Sequence, residues 1–134
     1  MTINVGFTGT REGMSQKQLQ TLWAQIADIK AKKEPIVFHH GGCRGADLEA
    51  AKMFSNVTNR IWCLPGDSNQ HLEAQKRGEI TLAVKPYLER NKNIVTLCDF
   101  LIAAPLGPEI ARSGTWMTVR YARAMGKPYL ILER

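Results

Sequence analysis

The chain has 134 residues, 44% hydrophobic and 22% charged, enough for one domain and too few for two comfortable cores. That balance excludes intrinsic disorder, collagen-like repeats and coiled coil, and apolar runs of about five residues, such as Phe100 to Ala104, exclude a membrane span. Eighteen Lys and Arg against 12 Asp and Glu leave a net charge of +6, which suits an anionic partner: nucleic acid or a small phosphate-bearing ligand.

Ile3, Val5 and Phe7 alternate with Asn4, Gly6 and Thr8, so the chain is expected to begin with a strand. The start has no basic segment and no long apolar core. A signal peptide is therefore not expected, and a cytosolic location is. The strand stops at Gly9-Thr10-Arg11-Glu12-Gly13. Ser15 and Gln18 form a capping box that opens a helix. Leu19, Leu22, Trp23, Ile26 and Ile29 are its expected core face. Lys30, Lys32 and Lys33 suit its C-terminal end, with Lys17 on the same solvated surface, and Pro35 ends it. Ile36 to His39 is a second strand, running into His40-Gly41-Gly42-Cys43-Arg44-Gly45-Ala46-Asp47. A helix follows over roughly 47–54. Ile61 to Leu64 is a third strand, closed by Pro65-Gly66-Asp67. Residues 68–84 are polar and predict one short helix and a loop. Pro86 to Leu97 reads as helix, Phe100 to Ala104 as a buried strand, and 105–112 as a loop. Ser113 to about Met125 reads as helix, stopped by Gly126-Lys127-Pro128, and Tyr129 to Leu132 is the last strand. No repeat or linker interrupts this order.

Strands alternating with helices predict one α/β domain over 1–134, a Rossmann-like doubly wound, mainly parallel sheet with helices on both faces. In such sheets ligands bind beyond the carboxyl ends of the strands. The loops that matter are therefore 8–13, 40–47, 65–69 and 105–114. They are rich in glycine and arginine: Gly9, Arg11, Gly13, Gly41, Gly42, Arg44, Gly45, Gly66, Gly107, Arg112 and Gly114. Glycine lets backbone amides approach a ligand closely, and a helix that starts just after such a loop aims free N–H groups at it. This combination suits phosphate.

The last helix sharpens the expectation. Its first turn holds no acid, Arg112 precedes it, and 110–132 contain no Asp or Glu. Acids are normally favoured at that end by about 0.3–1 kcal/mol each. Arg112, Ser113, Gly114 and Thr115 therefore read as an anion cradle. Familiar phosphate motifs are missing: there is no G-x-x-x-x-G-K-[ST], and no G-x-G-x-x-G follows the first strand. Asp67 stands where an acid could take ribose hydroxyls, although a turn aspartate explains it equally.

Four pieces together resemble the SLOG superfamily, which includes DNA-processing protein A, the small YspA-like proteins and the Lonely Guy phosphoribohydrolases. They are Gly6-Phe7-Thr8-Gly9-Thr10-Arg11, His40 to Asp47, Arg90-Asn91-Lys92-Asn93-Ile94, and Arg112-Ser113-Gly114-Thr115. The stretch from Glu89 to Ala122 is most similar to the DNA-processing protein. The resemblance spans Val5 to Leu132 and implies a Rossmann-like domain that binds nucleotides or related phosphorylated ligands. Gly9, Thr10 and Arg11 would line the site, with Gly41, Gly42, Arg44, Gly45 and Asp47 opposite. Arg90 and Asn91 would approach from a neighbouring helix, and Ser113, Gly114 and Thr115 would hold phosphate.

The phosphoribohydrolase pattern, P-G-G-x-G-T-x-x-E, is kept at Gly114-Thr115 but has Thr118 where that family has glutamate. Cleavage of an N-glycosidic bond builds positive charge on the sugar, so another carboxylate must serve; Glu12, Asp47, Asp67 and Glu109 are the candidates. The leading expectation is a nucleotide-binding sensor, carrier or sequestering module with no resident cofactor. The alternatives are a nucleoside-monophosphate N-glycosidase or related transferase, and a single-stranded DNA-binding protein with Trp116 as the stacking residue. Trp23 and Trp62 read as core. The expected partners are a small nucleotide-like ligand, single-stranded nucleic acid and a second copy in a C2 dimer; a membrane is not.

Of the remaining polar clusters, His39 and His40 point to opposite sheet faces and do not share a metal. Cys43, Cys63 and Cys98 form no C-x-x-C pair and no disulfide framework. The helix start and Arg44 are expected to lower the Cys43 thiol; Cys63 and Cys98 read as core.

Overall fold

A computed structural model describes residues 1–134 in full. Strands and helices alternate: β1 (Ile3–Gly9), α1 (Gln16–Ala31), β2 (Ile36–His40), α2 (Ala46–Phe54), β3 (Ile61–Cys63), α3 (Ser68–Lys76), β4 (Ile80–Thr81), α4 (Tyr87–Leu97), β5 (Phe100–Ala104), α5 (Gly114–Ala124) and β6 (Tyr129–Ile131). They form one sheet in the order β4-β3-β2-β1-β5-β6, with every pairing parallel. The α/β, doubly wound architecture expected from the sequence is the one observed. No helix is long and apolar enough to cross a membrane.

Alternation along the strands divides the core in two. Val5, Phe7, Phe38, Ile102 and Ala104 pack with Leu22, Ile26 and Ile29 of α1 and with Ala50, Met53 and Phe54 of α2. Leu101 and Ala103, interleaved with Ile102 and Ala104 on β5, face the other way and pack with Ile94 and Val95 of α4 and Val119 of α5. The fully apolar run of β5 follows from this, since a strand covered on both faces has no polar side.

Local signals fix the helix ends. The Ser15 hydroxyl accepts from the Gln18 amide at 3.1 Å, and Gln18 Oε1 accepts from the Ser15 amide at 3.0 Å, closing the expected capping box. The buried stripe of α1 starts at Gln18, whose amide nitrogen donates to Pro105 and Leu132 carbonyls, each at 2.9 Å. That stripe runs Gln18, Leu22, Ile26, Ile29, and it corrects the placement of Trp23, which lies one residue round the helix and is 45% exposed. Residues 68–84 hold the expected short helix, α3, and also β4, an edge strand too short to show periodicity. Asp67 caps α3 by accepting from the Gln70 amide at 2.8 Å.

His39 lies under the sheet beside Asn4, its Nε2 3.2 Å from Asn4 Oδ1, with Trp62 edge-on at 5.3 Å. Burial pushes its pKa down to about 4, against the pull of Asp99 and with a push from His40. The unfolded chain therefore takes up a proton first. The stability contributed by neutral His39 is complete above about pH 6.5 and is lost as the pH falls through about 4, by on the order of 3 kcal/mol. Denaturant titrations across that range will show the decline, and His39→Gln will remove this part of it.

Candidate functional site

Neighbouring strands β1 and β5 hand the chain to helices on opposite faces, α1 and α5, so their loops diverge and leave a crevice at the switch point. Two backbone hydrogen bonds join the crevice walls. The Thr10 amide donates to the Ala104 carbonyl, and the Ala46 amide donates to the Thr10 carbonyl, both at 3.0 Å. The resulting cleft has a volume of about 440 Å³. Gly9, Thr10, Arg11, Gly41, Asp47, Arg90, Asn91, Arg112, Ser113, Gly114 and Thr115 line it, so these expected residues are gathered in one place. Gly42 and Arg44 instead line an adjoining crevice. Gly45 lines neither. It holds φ at 85°, and a β-carbon there would lie 2.4 Å from the Arg11 carbonyl oxygen, so glycine lets the first two loops touch.

The floor is built from two buried opposite charges. Asp47 Oδ2 accepts from the Gly41 amide at 3.1 Å and the Cys43 amide at 3.3 Å. Arg90 donates from Nη1 to the carbonyls of Gly41 and, at 3.0 Å, Leu64. Its Nε donates to Asn91 Oδ1 at 2.9 Å, and its Nη2 lies 3.5 Å from Cys43 Sγ. Gly41 is thus clamped through both its amide and its carbonyl, and a β-carbon on it would meet Arg90. Arg90 is a staple between α4, β2 and β3, with most of its donors consumed inside the protein. Burial pushes the Asp47 carboxyl up, against the pull of His40 and Arg90, and its Oδ1 has no partner.

The rim is different. Arg11, Arg44 and Arg112 are exposed and take part in no ion pair or hydrogen bond through their guanidinium groups, whereas Arg77 pairs with Glu79 and Arg120 and Arg123 pair with Glu109. Ser113 caps α5 by accepting from the Trp116 amide at 3.1 Å. The amides of Gly114 and Thr115 have no acceptor within the chain and sit at the positive end of α5. Arginines without partners and helix-end amides without partners meet across one cleft.

The structure also brings in Tyr87, which sequence reasoning missed. It opens α4, donates its hydroxyl to Asp67 Oδ2 at 2.7 Å, and lies under the guanidinium groups of Arg90 and Arg11 at 5.0 and 5.9 Å. Its place one turn before Arg90 was the only available signal. Among the four candidate acids, Asp47 alone lines the main cleft. Asp67 is engaged by Gln70 and Tyr87, Glu109 by Arg120 and Arg123, and Glu12 lines neither crevice. Trp116 donates its indole N–H to the Gly107 carbonyl at 3.1 Å and is buried, which removes it as a stacking platform.

His40, Cys63 and Glu79 converge on the far side of β2. Gly42 donates to His40 Nδ1 at 3.0 Å, so the ring proton sits on Nε2, 2.7 Å from Glu79 Oε1. Burial pushes Glu79 up, but its hydrogen bonds with His40 and Arg77 prevail and hold it at about 2. A proton and a guanidinium already occupy this carboxylate, so the cluster acts as a strut beneath Gly42. Cys43 corrects an expectation: its thiol is raised, because burial and the Asp47 carboxylate outweigh Arg90 and Arg11.

Two outcomes follow from this geometry. Arg90→Ala leaves the buried Gly41 and Leu64 carbonyls without their donor and will cost about 2–4 kcal/mol in denaturant unfolding, whereas replacing exposed Arg44 with Ala will cost under about 0.5 kcal/mol. Ellman's reagent will titrate one thiol in the native protein, Cys43, more slowly at pH 8 than a free cysteine, and all three in denaturant, since Cys63 and Cys98 are buried.

No known family model and no curated protein matches the sequence. Solved structures do share the architecture. DNA processing protein A (DprA) from Streptococcus pneumoniae superposes with a TM-score of 0.72 at 17% identity, over 97% of this chain and 50% of that one. The structural-genomics target TM1055 superposes with a TM-score of 0.63 at 16% identity, over 96% of this chain and 71% of that one. The chain thus spans half the length of the DprA chain it matches. Its fold is the Rossmann-like α/β fold that it shares with these two structures.

Proposed function

We propose that the chain binds a nucleotide or a related phosphorylated ligand in the cleft between β1 and β5, with Arg11 and Arg112 and the amides of Gly114 and Thr115 as the phosphate receptor. The observation that carries this reading is the pairing of unpartnered cations with unpartnered amides at a single switch point. Each side supplies what an anion needs, and neither finds it within the protein. Arg90 and Asp47 serve as floor and scaffold. The cleft volume falls in the range of ordinary small-ligand sites, roughly 300–1,000 Å³.

A thermal-shift screen over nucleoside mono- and diphosphates and cyclic nucleotides tests the reading. A ligand present at about 100 times its Kd adds about 2.7 kcal/mol of stability. Arg112→Ala will weaken phosphate-ligand affinity by about tenfold or more while leaving the melting temperature of the free protein unchanged, because the side chain is exposed and unpaired. If no phosphorylated compound shifts the melting curve, the reading fails.

A second reading, glycosidic cleavage of a nucleoside monophosphate, has one observation in its favour: Asp47 lies in the cleft with one carboxylate oxygen unpartnered. If it holds, incubation with nucleoside monophosphates releases free base, and Asp47→Asn abolishes the release while phosphate binding persists.

A further inference from the structure

The peptide that joins Gly41 to Gly42 is anchored at both ends. Its carbonyl accepts from Arg90 Nη1, and its N–H donates to His40 Nδ1 at 3.0 Å. A ring nitrogen accepts only while the imidazole is neutral. His40 is fully buried, and its other nitrogen donates to Glu79 Oε1 at 2.7 Å. A proton added at Nδ1 leaves two N–H groups facing each other, and the buried Gly42 amide loses its acceptor.

The groups around the ring decide where that proton leads. Glu79, paired in turn with Arg77, is held at about 2 and stays ionised. The Cys63 thiol of β3 is pushed up to about 12, chiefly by burial, and stays neutral. Asp47 of α2 and His39 on the same strand act on the ring through space. A charged His40 thus keeps its carboxylate at Nε2 and needs a new acceptor at Nδ1. One stands at the other end of the same peptide. Turning that plane over, by rotation about Gly41 ψ and Gly42 φ, puts the Gly41 carbonyl in place of the N–H and leaves both Cα atoms where they are. Glycine flanks the plane on both sides, and a β-carbon on either residue would collide, with Arg90 or with Cys63.

We propose that His40 and the Gly41–Gly42 peptide form a proton-operated switch, in which protonation of Nδ1 turns the peptide over so that the Gly41 carbonyl accepts the new N–H. The proton comes from solvent, and the hydrogen bonds exchange without any covalent change in the chain. Arg90 keeps the Leu64 carbonyl, while its bond to Gly41 is given up. The Gly42 amide and Arg90 Nη1 then meet with no acceptor between them, beside the cleft that Gly41 and Arg90 line. Acidification therefore adds donors to the floor while the loop keeps its path.

NMR titration of the whole chain, labelled with nitrogen-15 and carbon-13, from about pH 8 to about pH 5 tests it. That window stays above the titration of His39 near 4. The coupling across the Gly42 N–H to Nδ1 hydrogen bond is expected at the alkaline end. It is expected to vanish as the His40 ring charges, with the Gly42 amide and Gly41 carbonyl shifts moving at the same midpoint. Crystals grown at the two ends are expected to show the peptide in opposite orientations. A ring still neutral at the acid end, or a charged ring above an unturned peptide, overturns the switch. His40→Asn supplies an amide oxygen that accepts from Gly42 and takes no proton, so it is expected to hold the alkaline orientation throughout. If Gly42 titrates in that variant as it does in the natural chain, another group such as Asp47 drives the change and the switch is overturned.

Discussion

One glycine sets the geometry of this site. The Gly41 amide is taken by the buried Asp47 carboxylate and its carbonyl by the buried Arg90 guanidinium, so two side chains from different helices hold a loop that has no regular structure of its own. The two side chains do not pair with each other; each satisfies buried backbone groups that would otherwise be orphaned. The loop after β2 is therefore a rigid wall. The positions of Cys43, Arg44 and the start of α2 follow from it.

This arrangement divides the basic residues by role. Arg90 is spent inside, on carbonyls and an aromatic ring, and contributes little reach toward a guest. Arg11, Arg44 and Arg112 stay outside, unpaired. An overall surplus of +6 says nothing about that division; the positive character of the cleft comes from the absence of counter-ions around particular residues. The acids that could neutralise the rim are occupied elsewhere, Glu109 by α5 and Glu79 by His40 and Arg77.

Much of this was legible in the sequence because the signals were local. The capping box at Ser15, the alternation in β1, the apolar run of β5 and the glycine-rich loops each follow from a few adjacent residues, and together they placed the switch point. What escaped reading depended on contacts distant along the chain. Local spacing places Trp23 on the core face beside Leu22 and Ile26, but the buried stripe is narrower and includes Gln18, anchored to residues 105 and 132, so Trp23 lies beyond its edge. The Cys43 thiol was expected to be lowered by its local neighbours, but the carboxylate behind it belongs to the next turn and the burial comes from α3 and α4. Tyr87 had no motif to mark it, and the His40–Glu79 strut joins residues 39 positions apart.

The walls of the cleft are not equally firm. Thr10 is tied to β5 and α2 by peptide hydrogen bonds, and Gly41 is clamped, yet no backbone amide from Leu106 to Arg112 donates to anything in the chain. That segment is tethered through its carbonyls, by Arg120 to Ile110 and Ala111 and by Trp116 to Gly107, and through Glu109 to Arg120 and Arg123. Ordering a residue costs about 1–2 kcal/mol of conformational entropy. A guest entering here thus meets two sides already arranged and one still to be settled, and the thermodynamic toll of fit is confined to a handful of residues carrying Arg112 at their end.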